Sequence, residues 1–361
     1  MDTSKVISQL LRVALWNDSS NLDREAIENL SNEEWLAIHA LALRQGVCAM
    51  LLDVIVAEKI TIPRPIKMRF ISSTDKVEKD YFSKVDTARQ LTTIYSEHGI
   101  KTMILKGIGL AQLYPTPKHR PCSDLDIWLF GRQKDADKIL KEKYNIPINE
   151  GHHHHTVFHI NDVMVENHYD FIEQHSRSSK ATMESYLKEL SETEAPISIN
   201  IEDVGVYIPG ANLNALFLIM HAGAHFAADS ISIRHLTDWA LFLKHYSKSV
   251  NWNKLLNIAE QFGCFKFIET LNSVCIEYIG MPECYAPCNS EDKQLVDRFF
   301  NNVLSYKQTP IPDSFFRGWI YRLKRRFSGT WRQKMVYKDN IIVSFVRSFL
   351  THIIHPNHWR E

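Results

Sequence analysis

The sequence predicts an α+β fold, a small mixed β-sheet flanked by N- and C-terminal helical regions. Three observations carry this. Apolar residues recur at helical spacing from Thr3 to about His98. Between Ile100 and Asn167 the period changes to short apolar runs and strict alternation. After Tyr169 helical spacing resumes and persists. Apolar recurrence every three to four residues marks one buried face of a helix, and alternation marks a half-buried strand. The expected regions are 1–98 (helical), 99–175 (α/β core), 176–309 (helical) and 310–361 (a basic, aromatic tail).

The elements follow in order. Leu10, Leu11, Val13, Ala14 and Trp16 form one helical stripe, and Leu36, Ile38, Leu41, Ala42 and Leu43 a second. Val85, Ala88, Leu91, Ile94 and Tyr95 form a third, ended by Gly99. Ile100 to Leu105 reads as a buried strand stopped by Lys106-Gly107. A helical stretch, Ile108 to Tyr114, and a Pro-rich loop, Pro115 to Pro121, lead to a second strand, in which Leu125, Ile127 and Leu129 alternate with Asp124, Asp126 and Trp128. Val157 to Ile160 and Val163 to Asn167 read as a hairpin turned at Asn161-Asp162. Beyond Tyr169 the text reads as helix, with Asn212 to Ala228 strongly apolar and Leu236 to Tyr246 amphipathic.

Composition excludes some classes. With 361 residues and 45% hydrophobic content the chain can bury a large core. Its 42 basic and 42 acidic residues cancel, so the whole molecule carries no bulk signal for nucleic acid. The balance hides a bias, since Pro310 to Glu361 holds ten Lys and Arg against three Asp and Glu. The six cysteines are scattered, with no Cys-x-x-Cys pair, and Met1 to Trp16 reads as an amphipathic helix rather than a secretion signal. Reduced thiols and a cytoplasmic location are therefore expected. No run reaches the roughly 18 apolar residues of a spanning helix, and the best candidate, Ile341 to Ile354, is interrupted by Arg347.

The chemistry concentrates in Asp124-Leu125-Asp126. Alternate strand residues share a face, about 6 to 7 Å apart. Two carboxylates that close repel unless a cation lies between them. Mg²⁺ suits such a pair, because it takes few protein carboxylates and completes its shell with water and phosphate oxygens. Glu166, which shares a face with Met164 and His168, is the candidate third carboxylate.

The motifs Leu105-Lys106-Gly107, Tyr114, Arg120, Ser123-Asp124-Leu125-Asp126 and Val165-Glu166-Asn167-His168 together resemble the DNA polymerase β-type nucleotidyltransferase superfamily. The match is to a bacterial group of largely uncharacterised nucleotidyltransferase-like proteins. His221 with His225, and Arg234 with Asp238, resemble the helical motifs that follow in that group. The resemblance implies transfer of a nucleoside monophosphate from an NTP to an acceptor hydroxyl, on a small molecule or a carbohydrate-related compound. It implies Mg²⁺ (or Mn²⁺) on Asp124, Asp126 and Glu166, with Glu166 orienting or deprotonating the acceptor. Lys106, Gly107, Arg120 and Ser123 would contact the nucleotide. Ile108 departs from the superfamily pattern, which has a second small residue there.

Several features carry two readings. His152 to His155 are a solvated loop, a rim of substrate contacts or metal ligands, with His155 nearest the strand. His221 and His225, one helical turn apart, are core histidines or support the site. Arg234 and Asp238 pair with each other or act beside the site, and His168 supports Glu166 or is a plain buried histidine. Lys106 reaches phosphate or snorkels to water. The aromatic and cationic residues from Phe315 to Arg332, including Arg322, Arg325 and Arg326, either pack on the domain or meet a membrane surface or polymer. The competing functions are nucleotidyl transfer to a protein or RNA, and a decayed transferase fold that serves as a binding or regulatory module.

Overall fold

A computed structural model describes residues 2–151, 154–173, 178–305 and 329–339. The expected contacts through Arg322, Arg325 and Arg326, and the apolar stretch 341–354, lie outside the described residues, as do His152 and His153.

The chain divides into two compact units. The first is built from Met1–Asp75 and Ile219–Lys338. Its helices are α1 (Thr3–Trp16), α2 (Arg24–Glu28), α3 (Asn32–Gln45), α4 (Cys48–Ala57) and the start of α5 (Arg64–Ser96). Ser31 and Glu34 close α3 with a reciprocal capping box, and Gly46 ends it in the left-handed conformation. Gln45 is fully buried, and its amide is satisfied by two backbone groups. It donates to the Val303 carbonyl at 2.9 Å and accepts from the Ile233 N–H at 2.7 Å. The part of the expected tail that is described packs inward. Trp331 sits edge-on to Phe226, with the Arg298 guanidinium 4.2 Å from its ring centre.

The second unit is built on Lys76–Leu218. It takes the rest of α5, then β1 (Met103–Ile104), α6 (Ile108–Ala111), β2 (Leu125–Trp128), α7 (Gln133–Tyr144), β3 (His155–Ile160), β4 (Val163–His168), α8 (Ser178–Thr193), β5 (Ile197–Ile201) and β6 (Val204–Ile208). Helix α9 (Ala211–Ala228) begins here and continues in the first unit, followed there by α10 (Ile233–Tyr246), α11 (Trp252–Phe262), α12 (Phe265–Ile279), α13 (Lys293–Ser305) and a short helix, Thr330–Val336.

Among the described residues the strands form one mixed sheet in the order β3-β4-β2-β1-β6-β5. β2 runs parallel to β4 and antiparallel to β1, and β1 runs parallel to β6. The expected α+β architecture is present. The β3–β4 hairpin turns at Asn161 and Asp162, both at positive φ, as a two-residue turn matched to strand twist requires. Two details differ from the sequence reading. The strand expected over Ile100 to Leu105 is only Met103–Ile104. The stretch after Tyr169, read as all helix, contains the β5–β6 hairpin, in which Ile197, Ile199 and Ile201 alternate and meet Val204, Val206 and Ile208.

One face of the sheet is the core. Leu125 and Ile127 of β2, Phe158 and Ile160 of β3, and Val163 and Val165 of β4 pack with Tyr81, Val85, Ala88 and Leu91 of α5 and Ala136 and Leu140 of α7. Asn167 and Thr156 reach this side too. Asp137 of α7 accepts from Asn167 Nδ2 at 2.7 Å and from Thr156 Oγ1 at 2.8 Å, tying both hairpin strands to one helix. All six cysteines fall among the described residues and are thiols outside any disulfide. No helix among the described residues is long and apolar enough to cross a membrane.

Replacing Gln45 by Leu strands two buried backbone groups, each costing about 1–3 kcal/mol. Gln45→Leu is therefore expected to lower unfolding free energy by about 2–4 kcal/mol in a denaturant titration. A loss under about 0.5 kcal/mol, the range of a neutral surface change, would refute this account of the first unit.

Candidate functional site

The other face of the sheet carries the charges. In the parallel β2–β4 pair Asp126 stands opposite Glu166, and Trp128 opposite His168. In the β3–β4 hairpin His155 stands opposite His168. Directly opposed residues share a face, so three neighbouring strands bring Asp126, Glu166, His168 and His155 together. Asp124 lies just before β2 on the same face.

Asp126 is 1% exposed, and its Oδ1 accepts from two cations. Lys106 Nζ is 3.0 Å away and His168 Nε2 3.1 Å away. Lys106, expected either at phosphate or out in water, thus turns its ammonium into the site, with Phe217 5.7 Å from it. His168 Nε2 also lies 3.4 Å from Glu166 Oε2, while the other Glu166 oxygen is 3.9 Å from His155 Nε2. Asp126 Oδ2 is buried and has no hydrogen-bond partner among the described residues.

Protonation follows from these contacts. Burial works against the Asp126 carboxylate, but the Lys106 ammonium and the His168 hydrogen bond outweigh it and hold the carboxyl well below its usual range. Glu166 is lowered in the same way, burial being outweighed by His168. His168 is disfavoured as a cation by burial, yet its bonds to Asp126 and Glu166 push it up to about 9. Asp124 goes the other way, raised by burial and then by the Asp126 charge, with Ser123 Oγ donating to it at 3.0 Å. Burial pushes His154 down to about 3, helped by the charges of His168 and His155.

Asp126, Glu166 and His168 each offer a ligand atom, and these lie within 4.8 Å of one another; His154, His155 and His168 form a second such group. Asp124 joins neither group. The carboxylates of Asp126 and Glu166 give a cation hard oxygen donors, which is the donor chemistry of Mg²⁺.

Gly107 sits at φ 54° and ψ −121°, a mirror-β conformation open to glycine, and a Cβ there would meet the Asp124 carbonyl at 3.4 Å. Arg120, expected at the nucleotide, is 2% exposed within the Pro-rich loop. Its guanidinium donates to the Pro121 carbonyl at 3.2 Å, contacts Cys122 Sγ at 3.3 Å and lies 6.0 Å from the Tyr114 ring centre. His221, His225, Arg234 and Asp238 belong to the first unit. There His221 Nε2 and His225 Nε2 are 3.2 Å apart, and Asp238 is buried.

Three residues near the site are not marked by any motif of their own. His154 is, in the sequence, one of a run of four histidines. Phe171, which stacks on Trp128 with ring centres 4.1 Å apart, carried no motif. Neither did Glu184, whose carboxylate accepts the Phe171 and Ile172 N–H groups at 3.0 and 2.9 Å and so fixes the exit from β4.

The sequence model of a family described as "Uncharacterised nucleotidyltransferase" matches residues 31–280. No curated protein matches the chain. Among solved structures, an antigenic nucleotidyltransferase-like protein from Paracoccidioides brasiliensis is 11% identical, with 51% of this chain and 88% of that chain covered and a TM-score of 0.33. A tRNA-processing enzyme in an apo form is 14% identical, with 82% and 79% covered and a TM-score of 0.28.

Two outcomes are expected from this geometry. His168 carries a folded-state pKa raised from 6.5, so its stabilisation is full below about pH 6.5 and lost as pH rises through about 9. Long-range ¹H–¹⁵N NMR of the metal-free protein should show His168 protonated at pH 7.5, and its titration should move down in Asp126→Asn. A neutral ring at pH 7.5 would contradict the ion-pair assignment. Gly107→Ala should cost about 1–3 kcal/mol of stability from backbone strain, read by thermal unfolding, whereas an unstrained glycine would tolerate alanine.

Proposed function

Since the chain belongs to the uncharacterised nucleotidyltransferase family, we propose that it transfers a nucleoside monophosphate from an NTP to a hydroxyl of a small-molecule or carbohydrate-related acceptor, with Mg²⁺ (or Mn²⁺) as cofactor. The observation that carries this reading is the Asp126 carboxylate. One of its oxygens is held by Lys106 and His168, and the other is buried with no hydrogen-bond partner among the described residues, on a residue paired in register with Glu166.

In this reading Asp126 and Glu166, with Asp124 at the edge, hold the cation. When bound, the cation supplies charge neutralisation to the triphosphate and acidity to the acceptor hydroxyl. The chain's own side chains do the rest. Lys106 stands 3.0 Å from Asp126 and is the mobile cation of the set, able to pass from that carboxylate to a phosphate oxygen. Protonated His168 keeps Asp126 and Glu166 ionised side by side and fixes the orientation of Glu166. Glu166, kept ionised, is the group that accepts the acceptor proton. The acceptor oxygen forms its bond to the α-phosphorus as the bond from that phosphorus to the bridging oxygen breaks, and pyrophosphate leaves. The backbone at Gly107, without a Cβ, offers close approach to the phosphates.

The test is thermal unfolding with ATP, GTP, CTP and UTP in turn, with and without Mg²⁺. A ligand at a hundred times its Kd adds about 2.7 kcal/mol to a folded state that alone binds it. One nucleotide is expected to raise the Tm only with Mg²⁺ present, and Asp126→Asn to abolish the shift while circular dichroism shows the fold retained. A shift that survives in folded Asp126→Asn, or no shift with any nucleotide, would remove the proposal.

A further inference from the structure

The carboxylates share their face of the sheet with an unusual number of imidazoles. His155 opens β3 and His168 closes β4, and the two are paired in register. Consecutive strand residues face opposite ways, which would turn His154 from the site. His154, however, lies just outside β3. Its carbonyl accepts two backbone N–H groups, from Tyr169 at 3.0 Å and Asp170 at 3.1 Å. Its ring meets His155 edge to face with centres 4.3 Å apart, and lies 5.5 Å from the His168 ring. His155 and His168 are 5.2 Å apart. One nitrogen from each of the three comes within 4.8 Å of the others. His154 Nδ1 is buried and has no hydrogen-bond partner among the described residues, a state that is rare for a polar atom without a ligand.

This donor set is wrong for Mg²⁺, which is held by oxygens, and right for a borderline first-row cation, which is commonly held by three imidazoles with one position open. Two nitrogens on a tetrahedral Zn²⁺ are about 3.3 Å apart, so side-chain rotations that draw the three in by at most about 1.5 Å would complete the shell. We propose that His154, His155 and His168 bind one divalent cation of the Zn²⁺ class, beside the oxygen donors of Asp126 and Glu166. His168 belongs to both groups, so the two positions are coupled: a cation on the imidazoles takes the place of the His168 proton. The inference does not rest on nucleotidyl transfer, and it is read with the metal alone.

The experiment strips the full chain of metal and titrates it with ZnCl₂ by calorimetry and with CoCl₂ by visible absorption, without nucleotide or Mg²⁺. One equivalent is expected to bind, with the Co²⁺ spectrum of a nitrogen-rich, low-coordinate site. Affinity should fall by at least about tenfold in His154→Ala and in His155→Ala, and stay unchanged in His221→Ala, which removes half of the separate histidine pair in the first unit. No uptake, uptake equal in every variant, or loss only in His221→Ala would each overturn the assignment. Should an alanine variant fail to fold, His154→Gln keeps a polar group of similar length. In the wild type, Zn²⁺ must in addition shift the His168 ring nitrogens in the NMR spectrum, and unmoved resonances would overturn the proposal. Nucleotide binding with Mg²⁺ is scored separately, so either idea can fail while the other stands.

Discussion

The buried carboxylate of Asp126 is the constraint around which the site is arranged. A carboxylate at 1% exposure is stable as an ion only if its lost hydration is replaced. Two cations make that replacement, and they come from different strands. Lys106 follows β1, while His168 ends β4. The order β4-β2-β1 is what places both beside β2, so the topology of the sheet and the protonation of the site are one arrangement. Glu166 then adds a second negative charge, and His168 is pushed up to about 9 because it serves both. The three groups rise or fall together, and a change at any one alters the protonation of the others.

That arrangement depends on the opposite face. A slip of β4 by one residue against β2 would carry Glu166 into the core and Val165 out of it. Hydrophobic packing against α5 and α7 opposes this directly. Asp137 opposes it more specifically, since it binds Asn167 of β4 and Thr156 of β3 at once. Both residues alternate with site residues, Asn167 between Glu166 and His168, and Thr156 next to His155. The polar anchor under the sheet therefore sets the register of the polar site above it.

Much of this was legible in the sequence because it is written in local periods. Alternation at Asp124-Leu125-Asp126 and the Asn161-Asp162 turn needed only strand geometry and turn chemistry. What was not legible depends on pairing across distance or on local exceptions. The contact between Lys106 and Asp126 needs the antiparallel register Ile104 to Ile127, which no single segment states. The β5–β6 hairpin turns at Glu202-Asp203, with Glu202 at φ 53°, and lacks the Asn or Gly that flags such a turn. His154 escapes the period-two argument because it stands outside the strand. The contact of the Arg120 guanidinium with the Pro121 carbonyl of its own loop is likewise not written in any period.

Ile108 invites a reading of decay, because a small residue is expected beside Gly107. The structure gives that side chain a packing role. Ile108 is fully buried, and its side chain belongs to the hydrophobic cluster under the sheet. Its bulk faces the core. The close approach in this turn falls one residue later, where a Cβ on Gly109 would come within 3.2 Å of Ile208 and 3.4 Å of the Ile104 carbonyl. Helix α6 is thus pressed onto β1 and β6 through Gly109 and anchored by Ile108, which leaves Gly107 to make the sharp backbone turn next to Asp124. Gly109 is thus the residue of this turn at which the packing requires the absence of a side chain.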